Sequence, residues 1–196
     1  MTKAEKTKQL LIEKTAPIFN LRGYAGTSMK DMIIATGLSK GSIYGNFKNK
    51  DEVALAAFDY NYSKVSDYLK SEILTKENAI ERLLMYPKTF SKFLSLPFFQ
   101  GGCPIQNTTT EADDTHPLLK EKAKSALTSW KNTIEAEIKR GIERKEIKSE
   151  TNSKEVAIVM ISMIEGAILQ TRALGGTTEL HITMKYVKKL ILDIKV

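Results

Sequence analysis

One cysteine, five prolines and eleven glycines in 196 residues leave little to cross-link or punctuate this chain. Cys103 cannot form an internal disulfide, so packing must hold the fold, and a reducing cytoplasm is the expected compartment. Long apolar runs are missing too. The start, MTKAEKTKQLL, has no signal-peptide core. Val156 to Ile164, the longest apolar stretch without a charge, has nine residues where a bilayer span needs about 20, so no membrane partner is expected. His116 and His181 stand apart from each other and from any ligand cluster, which excludes a recognisable metal site. No GxSxG, phosphate-binding glycine loop or paired carboxylates in a plausible cleft occur, and the acids of Glu111 to Asp114 read as a solvated loop and helix cap. Neither catalytic residues nor a cofactor are expected.

What is present is helical spacing almost throughout, with 42% apolar and 27% charged residues and no strand alternation. The expected fold is all-α: a three-helix helix-turn-helix head over residues 1–50 and a helical bundle over 51–196, about nine helices in all. The first helix spans about residues 3–22 with Ile12, Ala16 and Phe19 as its core stripe. Asn49 and Glu52 open a long helix carrying Leu55, Phe58, Tyr62, Val65 and Leu69. A fifth helix is expected from Thr75 to about Phe93, kinked at Pro87, before an irregular region with a short helix after Cys103. Thr115 or Asp114 can cap the seventh helix, Asn152 with Glu155 starts the eighth, and Thr177 starts the ninth.

Residues 27–50, TSMKDMIIATGLSKGSIYGNFKNK, carry the most chemistry. Ser28 with Asp31 forms a capping-box start, Gly37 makes a turn, and Ser39 caps a second short helix whose Ile43 and Phe47 face inward. Lys40, Gly41, Ser42, Tyr44 and Gly45 then face outward, a small, polar and cationic set suited to the major groove of double-stranded DNA. Lys40, Gly41, Tyr44 and Gly45 are expected at bases or groove floor. Thr27, Ser28, Ser42, Tyr44, Asn46 and Lys50 are expected at phosphates. Nine basic residues and three acids among the first 50 give +6 of the chain's formal +7, so the positive charge is local to this segment.

The run GLSKGSIYGNFKNKDEV resembles the signature of the TetR family of bacterial transcriptional regulators, and the resemblance covers about residues 8–58. It implies a DNA-binding head followed by a ligand-binding and dimerisation body. The function it implies is that of a homodimeric repressor on palindromic half-sites, released by a small-molecule effector. Gly45 and Asn46 stand where the family usually has a bulky residue and a His, so no operator sequence transfers.

In the body, Phe58, Tyr62, Tyr86, Phe90, Phe93, Trp130, Met163 and Gln170 are the candidate ligand-binding residues. Cys103, in a Gly-Gly-Cys-Pro segment resembling one found in some members of that family, offers an alternative sensor of oxidants or electrophiles, against a plain packing role. The eighth helix is apolar all round and the ninth carries an apolar seam. Ile161, Ile168, Met184, Val187 and Ile191 are therefore expected at a four-helix interface between two copies. A DNA-binding protein without an effector would have a filled body. A small helical enzyme would need convergent titratable groups, which the sequence does not supply.

Overall fold

The computed structural model describes residues 1–196. Nine helices follow one another: α1 (Lys3–Arg22), α2 (Met29–Thr36), α3 (Lys40–Asn46), α4 (Lys50–Leu74), α5 (Ala79–Phe90), α6 (Pro104–Ala112), α7 (Pro117–Glu143), α8 (Ser153–Leu174) and α9 (Thr178–Asp193). Two 3-10 turns, Phe93–Ser95 and Pro97–Phe99, separate α5 from α6, and the only β pairing is an isolated bridge between Ile147 and Lys195. The all-α expectation holds. The chain divides into two compact units, Met1–Val65 with Pro97–Ala126, and Ser66–Leu96 with Leu127–Val196. The first thus takes in the expected head, 1–50, and adds the start of α4, all of α6 and the first turns of α7.

Within the first unit, α1 packs against α2, α3 and α6. It starts on a capping box between Thr2 and Glu5. Its buried face is Leu11, Thr15, Ala16, Phe19 and Asn20, with Ile12 only half-buried. The expected stripe is displaced because Thr15 is tolerated inside, its hydroxyl donating to Leu11 O at 2.7 Å. At α4, Asn49 Oδ1 accepts from Glu52 N as expected, but the Glu52 carboxylate reaches back to Lys48 N rather than to Asn49. The cap of α7 is neither Thr115 nor Asp114. His116 Nδ1 accepts from Leu119 N at 3.3 Å, while the Thr115 hydroxyl donates to Glu111 O.

In the second unit α9 packs on both α8 and α5. α5 begins at Asn78, whose side chain accepts from Glu81 N, rather than at Thr75, because α4 continues to Leu74. Glu137 is buried and held between Arg82 and Arg140. After α7 the chain folds back on Gly141, whose carbonyl accepts from both Glu146 and Ile147. A Cβ on Gly141 would stand 2.6 Å from Ile147, so the glycine lets Ile147 pack fully inside. Lys148 N donates to Ile194 O, and Val196 N to Glu146 O, tying the end of α9 to this same turn. By length and composition alone α8 is apolar enough to cross a membrane. Its packing on α9 accounts for one of its faces.

That packing corrects the interface expectation. Ile161, Ile168, Met184, Val187 and Ile191 are buried within their own chain, Ile168, Val187 and Ile191 completely, and a covered side chain has no area left to give to a partner. The seam pairs α9 with its own α8 and α5. The large apolar residues left in water are Ile158, Val159, Leu169 and Leu174 on α8 and Ile182, Tyr186 and Leu192 on α9.

Substitution of Val187 by Glu therefore forces a carboxylate into this seam at a cost of several kcal/mol. Circular dichroism on heating should show the second unit unfolded or melting far below the wild type. Tyr186→Glu, on the exposed face, should retain wild-type helicity. Equal helicity and melting for the Val187→Glu chain would refute the assignment of this seam to the interior.

Candidate nucleic-acid interface

The reader is built from two capped helices and a left-handed glycine. Asp31 N donates to Ser28 Oγ at 3.2 Å, and the Asp31 carboxylate accepts from Ser28 N at 2.8 Å and from the Ser28 hydroxyl at 2.5 Å. Those Ser28 hydrogen bonds, joined by the Arg22 guanidinium at 2.9 Å, hold the Asp31 carboxyl below the usual carboxylate range. α2 ends at Gly37, with φ 67°, whose N–H closes on Ile33 O. Ser39 then accepts from Ser42 N to start α3. Ile43 and Phe47, four residues apart, are buried, and Lys8 from α1 sits 5.0 Å over the Phe47 ring. The opposite face must point to water.

On that face Lys40, Gly41, Tyr44 and Gly45 are exposed and Ser42 is half-buried, as the spacing requires. The glycines are informative. A Cβ on Gly41 would meet only Ser39 Oγ at 3.9 Å, and one on Gly45 nothing within 4 Å. Glycine inside a helix costs about 0.8–1 kcal/mol relative to alanine. Nothing in the protein's own packing requires it at either position, and both leave the exposed face of α3 open. Lys40 Nζ lies 5.9 Å over the Tyr44 ring, and Lys50 Nζ lies 4.3 Å over the Tyr24 ring at the start of α4.

One expected phosphate ligand, Thr27, is turned inward, and another, Asn46, is partly engaged within its own helix. Thr27 is completely buried, and its hydroxyl proton goes to Gly23 O at 2.7 Å, so it closes the α1–α2 turn and cannot reach a phosphate. Asn46 turns its amide nitrogen back to Ser42 O at 2.9 Å, committing one of its two donor hydrogens locally. Ser28 is exposed, with its hydroxyl proton on Asp31.

Sequence reasoning missed Tyr24 and Glu111. The Tyr24 hydroxyl donates to Asp51, and that bond, then burial and the Asp51 charge, push the phenol up to about 12. Glu111 lies within α6 rather than in a solvated loop, and its carboxylate accepts from Tyr24 N and Ala25 N. Asn20 and Asn107 also went unnoticed. They bind the Gly101–Gly102 segment to the end of α1: Asn20 Nδ2 donates to Gly102 O, and Asn107 Nδ2 to Asn20 O and Gly101 O. No local pattern signals these pairs, since their partners lie more than 80 residues away along the chain for all but Asp51 and Gly101.

Cys103 follows that segment as the N-cap position of α6 and is buried, with no hydrogen bond from its side chain to the helix start. The candidate ligand residues fall on both units. In the first, Phe58 and Tyr62 stack at 6.3 Å, and the Tyr62 hydroxyl donates to Ala126 O. In the second, Tyr86, Phe90, Phe93 and Trp130 are buried, and Phe90 stacks on Trp130 at 5.7 Å. The Trp130 indole N–H is enclosed without an acceptor. Met163 is half-buried. Gln170 is exposed on the same stretch of α8 as Leu169, which removes it from any enclosed pocket.

Residues 11–57 match the model described as bacterial regulatory proteins, tetR family, and residues 79–187 match one described as tetracyclin repressor-like, C-terminal domain. A solved structure of a TetR-family transcriptional regulator from Cytophaga hutchinsonii is similar at 42% identity, with a TM-score of 0.93, over 100% of this chain and 98% of that one. The HTH-type transcriptional regulator LmrA of Bacillus subtilis (strain 168) is 27% identical over 90% of this chain and 93% of its own length. The HTH-type transcriptional repressor DhaR of Mycobacterium sp. (strain GP1) is 25% identical over 84% and 82%.

Two substitutions separate the roles on this surface. Gly45→Ala should raise the thermal stability of the protein by up to about 1 kcal/mol while weakening binding to its DNA site, because the added methyl fits the protein but not the groove. Lys50→Ala should weaken binding to all sequences alike and reduce the salt slope by about one. Fluorescence anisotropy on a selected duplex measures both. Undiminished affinity for Gly45→Ala would remove α3 from the groove, and a changed base preference for Lys50→Ala would contradict its phosphate role.

Proposed function

Because the chain belongs to the TetR family of bacterial regulatory proteins, we infer that it acts as a homodimeric repressor released from palindromic operator DNA by a small molecule held in its C-terminal half. It is a helix-turn-helix transcriptional regulator and not an enzyme. The observation that carries the DNA reading is the exposed face of α3, where two helix-interior glycines flank Tyr44 with no internal reason for their small size. A protein that reads chromosomal DNA works in the bacterial cytoplasm, and its sole cysteine accords with that compartment. The repressor reading takes support from similarity to DhaR.

The dimer reading now rests on residues other than those the sequence pointed to. Ile158, Val159 and Leu169 on α8 and Ile182 and Tyr186 on α9 leave apolar area in water on the two helices that already pack together. Gly166, in the interior of α8, has nothing within 4 Å of where its Cβ would stand. A glycine that its own chain does not crowd allows close approach of a second helix, and an isologous pairing would bring α8 and α9 of each copy into a four-helix interface. Two reader helices would then meet half-sites about 34–36 Å apart, or a multiple.

For the effector, the buried aromatic group around Phe90 and Trp130 is the favoured site. An indole N–H enclosed without an acceptor costs about 1–3 kcal/mol, and a guest with an aromatic face and an acceptor oxygen or nitrogen would relieve that cost. Cys103, buried at the α6 start, is the less favoured sensor because a reactive thiolate needs access.

Sedimentation and DNA selection test this reading together. The wild type should be a dimer at micromolar concentration and enrich a palindrome from a random-sequence pool. Tyr186→Glu should sediment as a monomer of unchanged helicity and lose at least tenfold in affinity, since one reader covers one half-site. A monomeric wild type that binds a palindrome tightly would overturn the dimer reading.

A further inference from the structure

The turn between α1 and α2 is held from α6. Glu111 Oε2 accepts from Tyr24 N at 2.7 Å and Oε1 from Ala25 N at 2.8 Å. Both oxygens of one carboxylate thus bind two successive backbone amides just past the end of α1, and charge assistance makes such bonds strong. The sequence is shaped to admit the carboxylate. Gly23 has φ 72°, and a Cβ there would stand 2.3 Å from Glu111 Oε2. Beyond the turn, Tyr24 reaches the start of α4. Its ring lies under the Lys50 ammonium, its hydroxyl donates to Asp51, and the His116 ring meets it edge-on with centroids 4.6 Å apart. α6 is fastened to α1 a second time where Asn107 donates to Asn20 O.

We propose that Glu111 is a positioning residue for operator binding: from α6 it fixes the α1–α2 turn and, through Tyr24, the place of the Lys50 ammonium. A carboxylate that never touches DNA then helps to set the affinity for DNA. This rests on the DNA-binding reading above. Charge and position predict opposite signs here. Removing an acid from beside a basic surface raises affinity for a polyanion by electrostatics alone, whereas releasing the turn lowers it.

Glu111→Gln decides between them, because the amide offers one acceptor atom to two donors and sets an NH2 group against one of them. With the full-length protein and a duplex enriched by the wild type, affinity should fall about tenfold and the salt slope by up to about one, as the Lys50 contact to phosphate is lost. Deuterium exchange should quicken in the peptide spanning residues 20–30. Lys50→Ala should cost less in the Glu111→Gln background than in the wild type, since the ammonium is already displaced. Equal or tighter binding by Glu111→Gln would leave only the charge effect and overturn the proposal, and so would weaker binding that adds independently to Lys50→Ala. Failure of the wild type to enrich any duplex would sink the DNA reading itself, whereas tight wild-type binding that Glu111→Gln leaves intact sinks only the positioning role.

Discussion

Burial of Ile43 and Phe47 is the constraint on which the DNA-facing surface depends. α3 has seven residues, far fewer than the 12–15 or so at which an isolated helix becomes even marginal in water. It exists because one side of it is inside. Once two side chains four residues apart are committed to the core, the remaining directions are fixed, and Lys40, Gly41, Tyr44 and Gly45 have nowhere to point but outward. Lys8, drawn over the Phe47 ring, adds a cation from α1 at the end of the same helix. The short reader therefore borrows its rigidity from α1, and whatever holds the end of α1 also holds the reader.

The glycines divide by what surrounds them. Gly23, Gly101 and Gly141 stand where a methyl group would strike a neighbour: the Glu111 carboxylate, the Asn20 side chain, and Ile147 with Ala79. Each allows two segments of this chain to meet. Gly45 and Gly166 sit within helices with nothing of their own chain against them, and Gly41 meets only Ser39 Oγ at ordinary contact distance. Helical glycine has a standing cost, and at these three positions no packing within the chain offsets it. They fall on α3 and on α8, the two surfaces on which the proposed DNA and dimer contacts rest.

The head was readable in the sequence because its determinants are local. Ser28, Asp31, Gly37 and Ser39 act within three or four residues of themselves, and all take the predicted cap and turn positions. Thr27 shows the limit of that reading, since a hydroxyl beside a helix start looks like a phosphate donor until burial shows it closing a turn. Periodicity found the apolar seam of α8 and α9 but could not tell which molecule covers it. The seam belongs to the chain's own core, and the apolar residues left exposed lie one step around each helix. Glu111 lay beyond any local reading. Its acidic neighbours made it look solvated, and its two amide partners stand 87 and 86 residues earlier.

That same separation orders the events of synthesis. Ribosomes add about 5–20 residues per second, so the amides of Tyr24 and Ala25 wait several seconds for a carboxylate 86 residues further on. The first compact unit needs chain up to Ala126, and the second, whose segments alternate with it, closes only with α9. A nascent chain that exposes α1 to α3 therefore carries its positive surface before the turn beneath it is fastened. The turn under the reader is thus fastened only well after the reader itself has been made.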